Sequence, residues 1–309
     1  MSINPDEPAL ETELFSELEC ARALMAIRWP NGFSCPSCGP SAAYLIQTRR
    51  LPLLECRNCK LQTSVTAGTI LEKSRTPLYK WFKAFYLLSQ PDGISAVQLS
   101  IQLQVTYKTA WLIAHKIRFA MGNAEQSELL QGAVRVSFAS YGYPEFCDAK
   151  VPVIVGASVN RNDEPVHLKI MQPSPEHIIM RSIRAVTDAG LCAFANRYLD
   201  PLASDPEPDY PRKRKLALTR QVWSANDWMN QTFHGIGTKH LQAYFDEYCF
   251  RTNARWRKYD AFEAVIQWSM NTAKLTYAQL TKRRSILALP WKNTTKNKWK
   301  GVHLSLLEA

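Results

Sequence analysis

No run of about 18 consecutive apolar residues occurs in this 309-residue chain, so no membrane-spanning helix is expected. The first eight residues are polar and acidic, without a basic start or an apolar stretch, so no secretory leader is expected there. Acidic side chains are in short supply: 27 Asp and Glu stand against 38 Lys and Arg, giving a formal net charge of +11. So basic a balance fits a polyanionic partner, most simply nucleic acid, although a soluble protein can also be basic without one. Cysteine is too sparse and too unevenly placed for a disulfide framework. Of eight cysteines, four form two CxxC pairs, while Cys20, Cys147, Cys192 and Cys249 are scattered. That pattern suits a metal site plus buried thiols in a reducing compartment, and a cytoplasmic, nucleoid-associated location is expected. Hydrophobic residues make up 46% of the chain, enough to build cores in two or three domains.

Periodicity divides the chain in two. Apolar positions Leu14, Phe15, Leu18, Ala21, Leu24 and Met25 predict a helix over residues 11–27, ended by Trp29-Pro30-Asn31-Gly32. After a turn-rich stretch, Thr76 before Pro77 predicts a helix start, with Leu78, Trp81, Phe82, Phe85 and Leu88 on one stripe. Ser95 and Gln98 form a capping-box pattern for a short helix. A longer helix over 107–121 turns Ala110, Ile113, Ala114, Ile117 and Ala120 inward. Strands are expected over 134–138, 151–159 and 166–171, then a helix over 176–187 and a strand over 191–194. A surface loop is expected over 200–215, helices over 239–251 and 259–275, and a mobile basic tail from Lys282.

Cys35-Pro36-Ser37-Cys38 and Cys56-Arg57-Asn58-Cys59 form CxxC-x17-CxxC. Each pair makes a knuckle, and two knuckles close a tetrahedral site of four sulfurs. Such a site suits structural zinc and leaves no open position for catalysis. A reduced cysteine-rich loop is the alternative, and it leaves the spacing unexplained. Residues 95–121 follow as helix, short turn and helix. In a helix-turn-helix the second helix enters the major groove and its first residues reach base edges. Tyr107, Lys108 and Thr109 are therefore expected to touch DNA, with His115, Lys116 and Arg118 on the same exposed basic face. The alternative is an ordinary helical hairpin. Arg212, Lys213, Arg214 and Lys215 form a compact basic run that could grip phosphates without reading sequence, or simply be a solvated loop.

At this point the chain resembles bacterial insertion-sequence transposases with an N-terminal zinc ribbon and a DDE-type nuclease domain. The matching stretches are 28–36, 67–70, 78–82, 93–118, 239–248 and 250–255, within roughly residues 12–270. The resemblance implies an RNase H-like fold, in which three carboxylates hold two divalent metals at a DNA phosphate. Here the three positions read Ser137, Ala195 and Thr219, none of them acidic. The resemblance thus implies a domain that has lost its metal ligands, so Mg²⁺ or Mn²⁺ would be needed only if the chain were catalytic. Glu145, Asp148, Asp188 and Asp227 are the acids that could have moved into the role, against the commoner reading of solvated surface charges. Asp246 and Glu247 match the resemblance but read as structural.

An α/β multidomain chain is expected. Residues 1–68 carry a helix and the zinc ribbon, 69–125 the helix-turn-helix, 126–280 an RNase H-like mixed-sheet domain with C-terminal helices, and 281–309 the basic tail. The expected function is that of a transposase-derived binder of double-stranded DNA, a pseudoenzyme without strand cleavage. It is expected as a homodimer or as a hetero-oligomer with an active transposase, and away from membranes. The competing readings are an active transposase with relocated carboxylates and a zinc-ribbon adaptor that docks on other proteins.

Overall fold

A computed structural model describes residues 16–142, 150–180, 184–208, 217–282, 291–293 and 298–300. Two compact units divide the chain. The first comprises residues up to Gln90, Ala96–Ala120 and Phe262–Leu280, and the second Pro91–Ser95, Met121–Ala261 and the residues from Thr281 onward. Residues 262–280, expected in the sheet domain, therefore fold with the N-terminal unit.

In the first unit, α1 (Glu17–Arg28) starts on a capping box. The Ser16 hydroxyl accepts from the Glu19 amide at 3.2 Å, and the Glu19 carboxylate accepts from the Ser16 amide at 2.7 Å. β1 (Ser34–Cys35) and β2 (Gly39–Pro40) pair antiparallel, and β3 (Ala43–Ile46), β4 (Leu53–Cys56) and β5 (Gln62–Ser64) form an antiparallel sheet in that order. The Arg28 guanidinium ties α1 to this region by donating to the carbonyls of Ser64 and Val65 at 3.2 and 2.5 Å. α2 (Leu78–Ser89) starts one residue later than Thr76-Pro77 suggested. Pro77 occupies the cap position and offers no side-chain acceptor; the Glu17 carboxylate takes the Leu78 amide instead, at 2.7 Å. α3 (Ala96–Leu103) and α4 (Tyr107–Ser127) follow, with α4 running past the expected end at residue 121 and its residues from Met121 assigned to the second unit.

The second unit is built on a four-stranded sheet. β6 (Leu130–Tyr141), β7 (Val151–Val159) and β8 (Pro165–Met171) run antiparallel in sequence. Residues 176–187, expected to be helical, instead enter a 3-10 turn at Pro175–His177 and then the antiparallel pair β9 (Ile178–Met180) and β10 (Arg184–Val186). The β-branched pair Ile178-Ile179 favours extended backbone. Thr187 caps the helix that follows, accepting from the Gly190 amide at 3.2 Å. That helix, α5 (Asp188–Tyr198), replaces the strand expected over 191–194. β11 (Leu199–Pro208) replaces the expected loop and pairs parallel with β6. It lies at the edge of the order β11-β6-β7-β8, where prolines remove no needed ladder bond.

α6 (Ala217–Phe233) and α7 (Leu241–Arg257) complete this unit; α8 (Ala261–Asn271) and α9 (Tyr277–Thr281) supply the C-terminal part of the first. In the tail, β12 (Trp291–Asn293) and β13 (Lys298–Lys300) pair antiparallel, where mobility was expected. Two apolar cores cover the sheet. Leu218, Val222, Ala225 and Met229 of α6, with Leu241, Phe245 and Cys249 of α7, pack on Val153, Val155, Ala157, Leu168 and Ile170. Phe194 and Tyr198 of α5 pack with Leu130, Val134, Ile154 and Met171 in the other core.

Candidate metal centre and nucleic-acid interface

The ribbon brings its four cysteines together. Their sulfurs all lie within 4.8 Å of one another, with Cys35 to Cys59 and Cys38 to Cys56 each at 3.5 Å. Four thiolates around zinc at 2.3 Å would be about 3.8 Å apart, so the cluster fits the ion with small adjustment. Local backbone explains the placement. Gly39 and Lys60, the residues after each CxxC pair, have φ of +82° and +60°, which turns each knuckle back under its thiols. The Cys56 amide donates to the Leu61 carbonyl, and the Lys60 amide to the Cys56 carbonyl, each at 3.0 Å. The Ser41 hydroxyl lies 2.9 Å from the Cys56 sulfur and, with the Cys59 and Asn58 amides, holds that thiol down to about 6. Cys38, hydrogen-bonded to Cys56, is pushed up to about 12, and zinc binding would require its thiolate form. Ser41 carries no motif signal of its own; only the fold shows that it faces Cys56.

Between α3 and α4, Gln104 turns the chain with φ +49°, its amide donating to the Ile101 carbonyl at 3.1 Å. The Thr106 hydroxyl accepts from the Thr109 amide at 3.3 Å and starts α4. Ala110, Ile113, Ala114, Ile117 and Ala120 are buried, as the periodicity requires. Tyr107 is 55% exposed, Lys108 is exposed and Thr109 half-buried, so the first turn of α4 is available to a partner. Three of the expected contact residues are not. His115, Lys116 and Arg118 are 2%, 7% and 1% exposed. Lys116 donates to the Ile70 carbonyl at 2.6 Å and lies beside the Trp81 ring, and its pKa is lowered by burial. The His115 ring packs against Trp111 at a tilt of 39°, with ring centroids 4.0 Å apart. These side chains hold the unit together, because α4 is covered on more than its one apolar face.

The three positions that the resemblance aligned with acids fall on three elements. Ser137 is half-buried on β6, Ala195 lies on α5 and Thr219 on α6. Strand alternation places Ser137 on the face of Ala139 and Tyr141, the face that α6 covers, whereas Ala195 packs in the opposite core beside Val136. The sheet thus brings Ser137 and the helix of Thr219 to one side and leaves Ala195 on the other. Two residues before Ser137, Arg135 pairs with Asp163 at 3.0 Å and Glu207 at 2.6 Å. Asp188 and Asp227 are exposed on helices. Among the described residues, the four cysteines are the one group placed to hold a metal. Glu145, Asp148, Cys147 and the basic run Arg212–Lys215 lie outside the described residues. Of the scattered cysteines, Cys20 and Cys249 are buried as expected, while Cys192 is exposed.

Residues 15–62 match the transposase zinc-ribbon domain of the IS1595 type. A protein described as "Uncharacterized protein in transposable element ISH50", from Halobacterium salinarum, is 35% identical over 101 residues, covering 31% of this chain and 33% of that protein. The chain therefore spans about a third of the length of this curated relative. No solved structure matches. The N-terminal region is thus similar to the zinc ribbon of insertion-sequence transposases, and its four cysteines form a structural zinc site. No helix of the described residues is long and apolar enough to cross a membrane.

Proposed function

We propose that the chain binds double-stranded DNA through α3 and α4, with Tyr107, Lys108 and Thr109 at the groove, and does not cut it. The observation that carries this reading is the exposed first turn of α4 behind a zinc ribbon of transposase type, in a chain of net charge +11. The sheet order β11-β6-β7-β8, with β11 parallel to β6 and the others antiparallel, supports an RNase H-like second unit. Loss of cleavage is supported by Ser137 on the inner strand β6, because a serine hydroxyl does not anchor a divalent metal as a carboxylate does. Self-association, or pairing with an active transposase, belongs to the same proposal and awaits a measurement of mass in solution.

The test is fluorescence anisotropy with a mixed-sequence duplex across a salt series, beside incubation of supercoiled DNA with Mg²⁺ and Mn²⁺. Affinity should fall steeply with salt, and the plasmid should stay closed. Divalent-dependent nicking would establish the active-transposase reading, and salt-insensitive or absent DNA binding would favour a protein-docking role for the ribbon.

A further inference from the structure

The first turn of α4 has a neighbour from the far end of the chain. Residues 262–280 fold into the first unit, and several contacts fix them there. Ala273 bridges Thr69 antiparallel, and the Lys274 ammonium pairs with Glu72 at 2.8 Å, while the same Glu72 carboxylate accepts from the Gly68 amide at 2.8 Å. Leu275 is buried, and the Thr276 hydroxyl starts α9 by accepting from the Gln279 amide at 3.3 Å. Tyr277 thus sits on an anchored segment and is 45% exposed. Its ring meets Trp111 of α4 edge-on, with centroids 6.1 Å apart, and the Lys108 ammonium lies 5.1 Å from its centre. The Lys108 cation on the exposed helix surface thus lies against the face of an anchored ring, in the same turn as Tyr107 and Thr109.

We infer that Tyr277 is a positioning residue for DNA binding, its ring holding the Lys108 ammonium where a phosphate of the duplex meets the first turn of α4. The inference rests on the DNA-binding reading above. A long lysine loses rotamer freedom when it grips a phosphate, and a ring that restricts it beforehand removes part of that loss. An exposed cation–π contact supports an effect of about two- to five-fold in affinity. The phenol hydroxyl is not required for this, only the π face.

The full-length chain is compared with its Tyr277→Leu, Tyr277→Phe, Lys108→Ala and Tyr277→Leu/Lys108→Ala variants, using a mixed-sequence duplex at several salt concentrations. Leucine retains an apolar contact with Trp111 and guards against misfolding, with zinc content and circular dichroism checked for each variant. Tyr277→Leu should weaken binding about two- to five-fold, Tyr277→Phe should match the parent, and Tyr277→Leu should add nothing in the Lys108→Ala background. Equal affinity of Tyr277→Leu and the parent, or the same loss in both Lys108 backgrounds, overturns the inference. A readout without DNA accompanies this: after reductive ¹³C-methylation, the Lys108 methyl resonance should shift upfield in the parent and lose that shift in Tyr277→Leu. An unshifted parent resonance also overturns it. Failure of the parent to bind duplex at low salt overturns the DNA-binding reading itself, and is seen before any variant is made.

Discussion

Two buried charged groups set the terms at the scale of single residues. Asp246 on α7 is 8% exposed, accepts from Gln242 Nε2 at 2.8 Å, and stands so close to Gly122 that a Cβ there would lie 2.7 Å from its oxygen. Burial raises its pKa from 3.8 to about 7. A raised acid binds its proton more tightly when folded, so the chain loses stability as pH climbs from about 4 to 7, and the penalty then levels off. Asp246→Asn keeps the acceptor and removes the charge. Its stability advantage should be near zero at pH 4 and grow to roughly 2–4 kcal/mol above pH 7, read from urea unfolding at each pH. An advantage that does not change with pH would show the carboxyl to be solvated. Lys116 behaves differently from what its sequence suggests. Lys116→Glu would aim a carboxylate at the Ile70 carbonyl, so it should lower the melting temperature of the first unit by several degrees. A folded Lys116→Glu chain with weaker DNA binding alone would instead restore this lysine to the interface. Helical periodicity located Ala110, Ile113 and Ile117 correctly, because an apolar stripe marks the face turned inward. It could not show that positions 115, 116 and 118 are covered as well. The cover of Lys116, for example, comes from Ile70 and Trp81, remote in sequence.

Among elements, the ribbon was the most legible, because its four ligands and their spacing are local. Its support was not: Ser41 on Cys56 and Arg28 on the Ser64 and Val65 carbonyls depend on the folded chain. The ribbon strands are short, β1 and β2 having two residues each, so little apolar burial holds them without metal. Cys35→Ser/Cys38→Ser should release zinc and leave the ribbon protease-sensitive, with metal measured by a colorimetric chelator. A variant retaining a full equivalent of zinc would refute the four-sulfur site. In the sheet unit, β7 was legible as a largely apolar, valine-rich stretch, since an inner strand is buried on both faces. β11 was hidden because Leu199–Pro208 carries three prolines and three acids, a composition that a central strand could not tolerate and an edge can. The helix α5 was hidden for a related reason: Leu191, Ala193 and Phe194 face a core while Cys192 is exposed, and four apolar residues suit either kind of element.

At the scale of the whole molecule, the chain order of the units is the least legible feature. A reading along the sequence ends the N-terminal part near residue 125, whereas the first unit also includes Phe262–Leu280. That return segment buries Val265, Ile266 and Met270, places Phe262 against Tyr86 at 6.1 Å, and supplies Lys274 to Glu72. Removing it would uncover apolar surface on the first unit and leave Glu72 without its lysine. At about 25 cal/mol per Å² of apolar area, loss of even a few such side chains is of the order of the stability that a small unit has in total. A chain ended after Ala261 should therefore show rapid tryptic cleavage within residues 65–120, whereas one ended after Lys282 should resist like the full length. Both retain the ribbon cysteines, so equal zinc content would confirm that the difference lies outside the metal site. Equal resistance of the two truncated chains would mean that the first 125 residues form a self-sufficient head and that the C-terminal return is dispensable.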